Sequence, residues 1–98
     1  MSGGGIAFLA ALERVIDSRL AGASAEQSYT ARLAREGIVK IAQKVGEEGV
    51  ELALAAAAQD DARVTSEAAD LLYHVILLLR VRGLRLEDVA AELERRHR

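Results

Sequence analysis

The sequence contains no cysteine, no proline and no tryptophan, and only 3% of its 98 residues are aromatic. Without cysteine there is no disulfide, no thiolate metal site and no cysteine nucleophile, and the cytoplasm is the natural compartment. Without proline nothing interrupts a helix from within. Charge of one sign is also lacking: 13 Lys and Arg stand against 15 Asp and Glu, a net charge of −2. No stretch is strongly basic, so a nucleic-acid partner is disfavoured. Long hydrophobic runs are missing too. The most apolar stretch, Leu71 to Leu79, is about half the ~18 residues that cross a bilayer. Ile6 to Leu12 has no basic segment before it and runs straight into Glu13 and Arg14, so it reads poorly as a signal peptide. A soluble protein with no membrane partner is expected.

What is present points to helices. Hydrophobic residues make up 51% and charged residues 29%, a globular balance, and alanine and leucine lose little on entering a helix. The length suits one domain, residues 6–98, behind a short Ser/Gly tail at 1–5. A domain of this size buries only about 60–70% of the surface its unfolded chain exposes, so pairing with a second copy would enlarge a modest core.

Helical spacing marks four segments. Leu9, Leu12, Val15, Ile16 and Leu20 predict a helix over about Ile6 to Leu20, closed by a loop at Gly22 and Ser24. Ser28 is a good N-cap for a second helical region reaching Ala58, which Gly37 kinks or splits into a short arm and a long helix. Gln59, Asp60 and Asp61 form the break before a third helix, either Asp being suited to cap it, and Gly83 is its natural stop. The last runs from about Leu86 to Arg96. Between Leu71 and Val81 only His74 and Arg80 are strongly polar, and a helix apolar almost all round is buried on more than one side. The expected architecture is therefore all-α, a four- to five-helix bundle completed by homodimerisation.

Two acidic clusters carry the chemistry. Lys44, Glu47, Glu48 and Glu51 share one side of the second helical region, and Glu67 and Asp70 lie a turn apart on the third helix, with His74 continuing their face. A tight turn at Gln59 makes these helices antiparallel. Residues level with each other across such a hairpin have numbers of constant sum, about 118 here. Glu51 with Glu67 and Glu48 with Asp70 both satisfy it, and Lys44 with His74 does so one turn deeper. Carboxylates gathered in one groove repel by on the order of a few kcal/mol per close pair, unless their pKa values rise or a cation binds. An all-oxygen set suits Mg²⁺, or Mn²⁺ as its substitute, and Mg²⁺ shares its shell with water and substrate phosphates. A metal-bridged phosphate site is expected. The bland alternative is a solvated acidic face, with Lys44 and Glu48 an ordinary surface pair. Against it stand the alignment across the hairpin and the apolar run that directly follows Asp70.

Glu47-Glu48-x-x-Glu51 followed by Glu67-x-x-Asp70 resembles the signature of the all-α nucleotide pyrophosphohydrolase superfamily, which includes MazG-like enzymes and dimeric dUTPases. Ser28 to Leu33, Lys40 to Glu48, Glu67 to His74, and Arg82-Gly83-Leu84 through Leu86 to Val89 are similar to one family within it, the phosphoribosyl-ATP pyrophosphatases. The resemblance spans about Tyr29 to Arg96. Arg32 departs from it where Lys is expected, and Arg85 where Ser or Thr would cap the last helix, which predicts a weaker cap.

The resemblance implies hydrolysis of 1-(5-phosphoribosyl)-ATP to the AMP form and pyrophosphate, the second step of histidine synthesis. Glu48, Glu51, Glu67 and Asp70 would hold Mg²⁺ against the phosphates. Glu47 would position or deprotonate the attacking water, and Lys44 would reach the phosphates as a point charge. Tyr29, Thr30 and Arg32 would close over the substrate, and His74 would join them, although a satisfied interior histidine is the commoner reading of such a residue. Arg63 shares the face of Glu67 and reads as solvent-exposed, as does His97 in the basic C-terminal tail. Functional coupling to a separate phosphoribosyl-AMP cyclohydrolase is a further implication. The rival readings are a housekeeping pyrophosphatase of ordinary or damaged nucleotides, with the same metal site, and a non-catalytic helical dimerisation module.

Overall fold

A computed structural model describes residues 4–22 and 28–98. Ser24 and the first three residues of the tail lie outside them. A 3₁₀ turn at Gly5–Ala7 leads into α1 (Phe8–Gly22), followed by α2 (Tyr29–Glu36), α3 (Ile38–Ala58), α4 (Asp61–Val81) and α5 (Leu86–His97). Every described element is helical, as the composition required.

The ends of the helices follow from individual residues. The Ser28 hydroxyl accepts the Ala31 N–H at 3.1 Å and starts α2. Gly37, at φ +100, does split the second helical region, because few residues other than glycine tolerate that backbone. Asp60, rather than Asp61, caps α4 by accepting the Arg63 N–H at 2.9 Å. At the far end Gly83, at φ +82, closes α4. The Leu84 N–H reaches the Leu79 carbonyl at 2.8 Å and the Gly83 N–H reaches Arg80 at 3.0 Å, the paired bonds of a Schellman motif.

The antiparallel hairpin of α3 and α4 is the dominant pairing, with α1 and α2 laid against it. The core is Ile16 of α1, Leu33 of α2, Ile41 of α3, and Ile76 and Leu77 of α4, flanked by Leu12, Leu20 and Tyr73. Burying such side chains contributes about 1.5–3 kcal/mol each. Much apolar surface stays outside this core. Val39, Val50 and Leu54 of α3 and Leu72 of α4 are exposed, so α4 is not covered on every side within one chain.

The junction of α1 and α5 corrects the expectation of a weak cap at Arg85. Glu13, buried on α1, accepts the Leu86 N–H at 2.7 Å on one oxygen and the Arg85 guanidinium at 3.1 Å on the other. The Arg85 N–H in turn donates to Asp88 at 2.8 Å. The cap comes from a residue 73 positions away in sequence, and Arg85 strengthens the junction by holding that carboxylate. A cleft of about 610 Å³ beside it, lined mainly by apolar side chains such as Leu9, Val89 and Leu93, includes none of the groove carboxylates.

Candidate functional site

The two-residue turn between α3 and α4 fixes the register of the groove. It brings Glu48 together with Glu67 and Asp70, whose nearest carboxylate oxygens all lie within 4.8 Å of one another. Glu48 and Glu67 are buried, at 7% and 4% exposure, while Asp70 is exposed and opens the trio to solvent. One oxygen of Glu48 and one of Glu67 are buried with no hydrogen-bond partner. Buried charged oxygens are nearly always paired, so these two are the places in the groove where a further partner would fit. Glu51 is outside this trio but close enough to act on Glu67. Burial, together with Glu51 and Asp70, pushes the Glu67 carboxyl above its ordinary value, and Arg63 acts in the opposite direction.

The surrounding charges are arranged asymmetrically. Arg63 holds the second oxygen of Glu67 at 2.9 Å from an otherwise exposed position. The Lys44 Nζ stands 3.8 Å from Glu47 and 3.8 Å from Glu48, too far for a hydrogen bond and free to serve a ligand. Glu47 is on the exposed rim, where Gln43 donates to it at 2.9 Å. It is not one of the clustered carboxylates.

The short arm α2 forms the other wall. Its Tyr29 hydroxyl bonds the His74 Nε2 at 2.8 Å, and the His74 Nδ1 bonds the Asp70 carbonyl at 2.9 Å. Thr30, fully buried, hydrogen-bonds the Tyr73 hydroxyl. Thr30 and His74 therefore sit behind the wall as satisfied interior groups, and Tyr29 and Arg32 are the exposed members of the set. The Arg32 guanidinium lies 5.4 Å over the Tyr29 ring. Tyr73 was not singled out in sequence. The signal was the matching of two polar dipeptides, Tyr29-Thr30 and Tyr73-His74, whose members bond pairwise across the helices.

The residues present fit a hard divalent cation. They offer only oxygen donors, two of them buried and unpartnered, and the set is open on the Asp70 side, as an ion that keeps waters and takes phosphate oxygens requires. A helical hairpin with an acidic groove open along one side defines an all-α class of protein. Within that class the chain belongs to the phosphoribosyl-ATP pyrophosphohydrolase family, whose description matches residues 9–97. It is 53% identical over 89 residues to the phosphoribosyl-ATP pyrophosphatase of Sphingopyxis alaskensis, covering 91% of this chain and 82% of that protein. It is 56% identical over 90 residues to the enzyme of the same name from Azorhizobium caulinodans, covering 92% and 82%. It is also 52% identical over 92 residues to the histidine biosynthesis bifunctional protein HisIE of Photobacterium profundum, covering 94% of this chain and 44% of that longer protein.

Proposed function

We propose that this chain hydrolyses 1-(5-phosphoribosyl)-ATP to 1-(5-phosphoribosyl)-AMP and pyrophosphate in a Mg²⁺-dependent reaction, and so serves histidine biosynthesis. Membership of the family carries the substrate. The two unpartnered carboxylate oxygens of Glu48 and Glu67 carry the metal dependence.

Glu48, Glu67 and Asp70 would hold the ion, with Glu51 at the edge of the set. Bound there, Mg²⁺ supplies positive charge against the phosphates at the bond to be cut. The chain's own residues do the rest. Lys44 contributes a point charge to the phosphate chain from the same wall. Glu47, exposed on the rim with a free oxygen, positions a water or takes its proton. That water adds to the α-phosphorus, the bond to the β-phosphate breaks, and pyrophosphate leaves with the electron pair. Tyr29 and Arg32 face the nucleoside end, while Thr30 and His74 hold that wall in place.

The reading extends to assembly and setting. The exposed Val50 and Leu54 of α3 and Leu72 of α4 leave apolar surface on the hairpin that supports a homodimer. No helix among the described residues is long and apolar enough to cross a membrane, which supports a cytoplasmic enzyme. The relatives named as bifunctional support coupling to a cyclohydrolase.

Pyrophosphate release from phosphoribosyl-ATP, compared with a panel of ordinary and damaged nucleoside triphosphates with and without Mg²⁺, tests the proposal. Mg²⁺-dependent release from phosphoribosyl-ATP far ahead of the panel is expected. Preferential release from a deoxynucleotide would overturn the substrate, and release unaffected by a chelator would overturn the metal.

A further inference from the structure

The hydrogen bonds behind Tyr29 have a fixed direction. A backbone carbonyl only accepts, so the His74 Nδ1, 2.9 Å from the Asp70 carbonyl, carries the imidazole proton. In the neutral ring Nε2 then has only a lone pair, and the Tyr29 hydroxyl 2.8 Å away donates to it. The phenol keeps the proton this bond needs. Burial pushes Tyr29 above its ordinary value, opposed by Lys44 and Arg32 and aided by Tyr73 and Glu48.

The imidazole cannot easily turn away. His74 is 6% exposed, with the Tyr73 ring edge-on at 5.1 Å and the Tyr29 ring edge-on at 5.8 Å. Tyr73 is itself tied to buried Thr30. With its single hydrogen turned inward, the Tyr29 hydroxyl has only lone pairs left for a ligand. A phosphate oxygen, also an acceptor, gains nothing from that group. A ligand hydroxyl or amino hydrogen does.

We propose that His74 is a positioning residue that fixes the Tyr29 hydroxyl as a pure acceptor, which reads a donor hydrogen on the nucleoside part of the substrate rather than its phosphate chain. The inference rests on the nucleotide reading above and deepens it by dividing the site. Lys44 and the carboxylate trio serve the phosphates, and the Tyr29–His74 pair serves the sugar or the base.

The test is the affinity, in Mg²⁺, of the non-hydrolysable α,β-methylene-ATP, its 2′,3′-dideoxy form, and tripolyphosphate. Tyr29 is 41% exposed, so Tyr29→Phe leaves the core untouched. That variant should weaken α,β-methylene-ATP by about tenfold, the worth of one hydrogen bond, and leave tripolyphosphate unchanged. His74→Leu should reproduce the loss, and His74→Gln, whose amide oxygen can take the same proton, should restore most of it. On phosphoribosyl-ATP the loss should fall on KM, with kcat nearly kept. If the dideoxy form is already weak and insensitive to Tyr29→Phe, the donor is a sugar hydroxyl. If it loses affinity like its parent, the donor is on the base. Equal loss for nucleotide and tripolyphosphate, or no loss for either, would overturn the inference. A wild-type chain that prefers the nucleotide over tripolyphosphate but never cleaves phosphoribosyl-ATP would overturn the proposed function and leave the inference standing.

Discussion

Glu13 and Glu48 are buried to nearly the same extent, 6% and 7% exposed, yet the molecule treats them in opposite ways. Both oxygens of Glu13 are engaged, one by the Leu86 N–H and one by Arg85. Its neighbour Asp17 receives Arg80 at 2.7 Å, and Arg80 continues to the Leu84 carbonyl at 2.8 Å. At Glu48 one oxygen has no partner and the nearest cation is 3.8 Å away. Glu67 is similar, with one oxygen on Arg63 and the other bare. The α1–α5 junction is a finished piece of structure, in which buried charge ends a helix and ties two segments. The α3–α4 groove leaves two buried carboxylate oxygens without a hydrogen-bond partner, which is the observation behind the proposed cation. The difference teaches how to separate acidic residues that hold a fold from those that wait for a ligand: by whether their buried oxygens are satisfied.

If that contrast is right, removing the buried carboxylate should have opposite consequences at the two places. The largest effect is expected for Glu48→Gln, which keeps shape and removes charge. Pyrophosphate release should fall by about 100-fold or more, while the metal-free melting temperature stays level or rises because a buried unpaired charge is gone. Glu13→Ala should do the reverse. Denaturant unfolding should show a loss of about 2 kcal/mol from a missing cap and an orphaned Leu86 N–H, with kcat unchanged well below the melting temperature.

A smaller effect follows pH. Folded Glu67 holds its proton above 4.5, the ordinary Glu value. Between that value and the folded pKa the folded chain binds more protons than the unfolded one. The metal-free chain should therefore lose stability as pH rises through that window. Mg²⁺ should stabilise more over the same rise, because it competes with the proton. Melting curves across mildly acidic pH, with and without Mg²⁺, check both signs, and Glu67→Gln should flatten both. The smallest effect is expected for Arg63→Gln. This exposed competitor's removal should tighten Mg²⁺ binding by only about two- to threefold in calorimetry.

The finished region was the harder one to see in the sequence. The caps of α2 and α4, the break at Gly37 and the stop at Gly83 were legible, because each depends on neighbours within a few residues. The level meeting of Glu48 and Asp70 was also legible, because a tight turn transmits register along a hairpin. Glu13 was not, since a cap supplied across 73 positions leaves no local pattern and appears only once α5 has returned to α1. The same holds for Thr30, whose residue type matched the site but which tertiary packing turned inward to bond Tyr73. The interior reading of His74 was legible, whereas its partner Tyr29, from another helix, was not. Glu51, level with Glu67 by the same register, does act on the Glu67 carboxyl, while the close trio forms with Glu48.

The most direct test is Mn²⁺ binding followed by electron paramagnetic resonance, with α,β-methylene-ATP present, in the wild-type chain, Glu67→Gln and Glu13→Gln. The expected result is a protein-bound Mn²⁺ signal in the wild type, displaced by Mg²⁺, kept in Glu13→Gln and lost in Glu67→Gln. A wild-type chain that binds no Mn²⁺, or a Glu67→Gln chain that binds it equally well, would contradict the account.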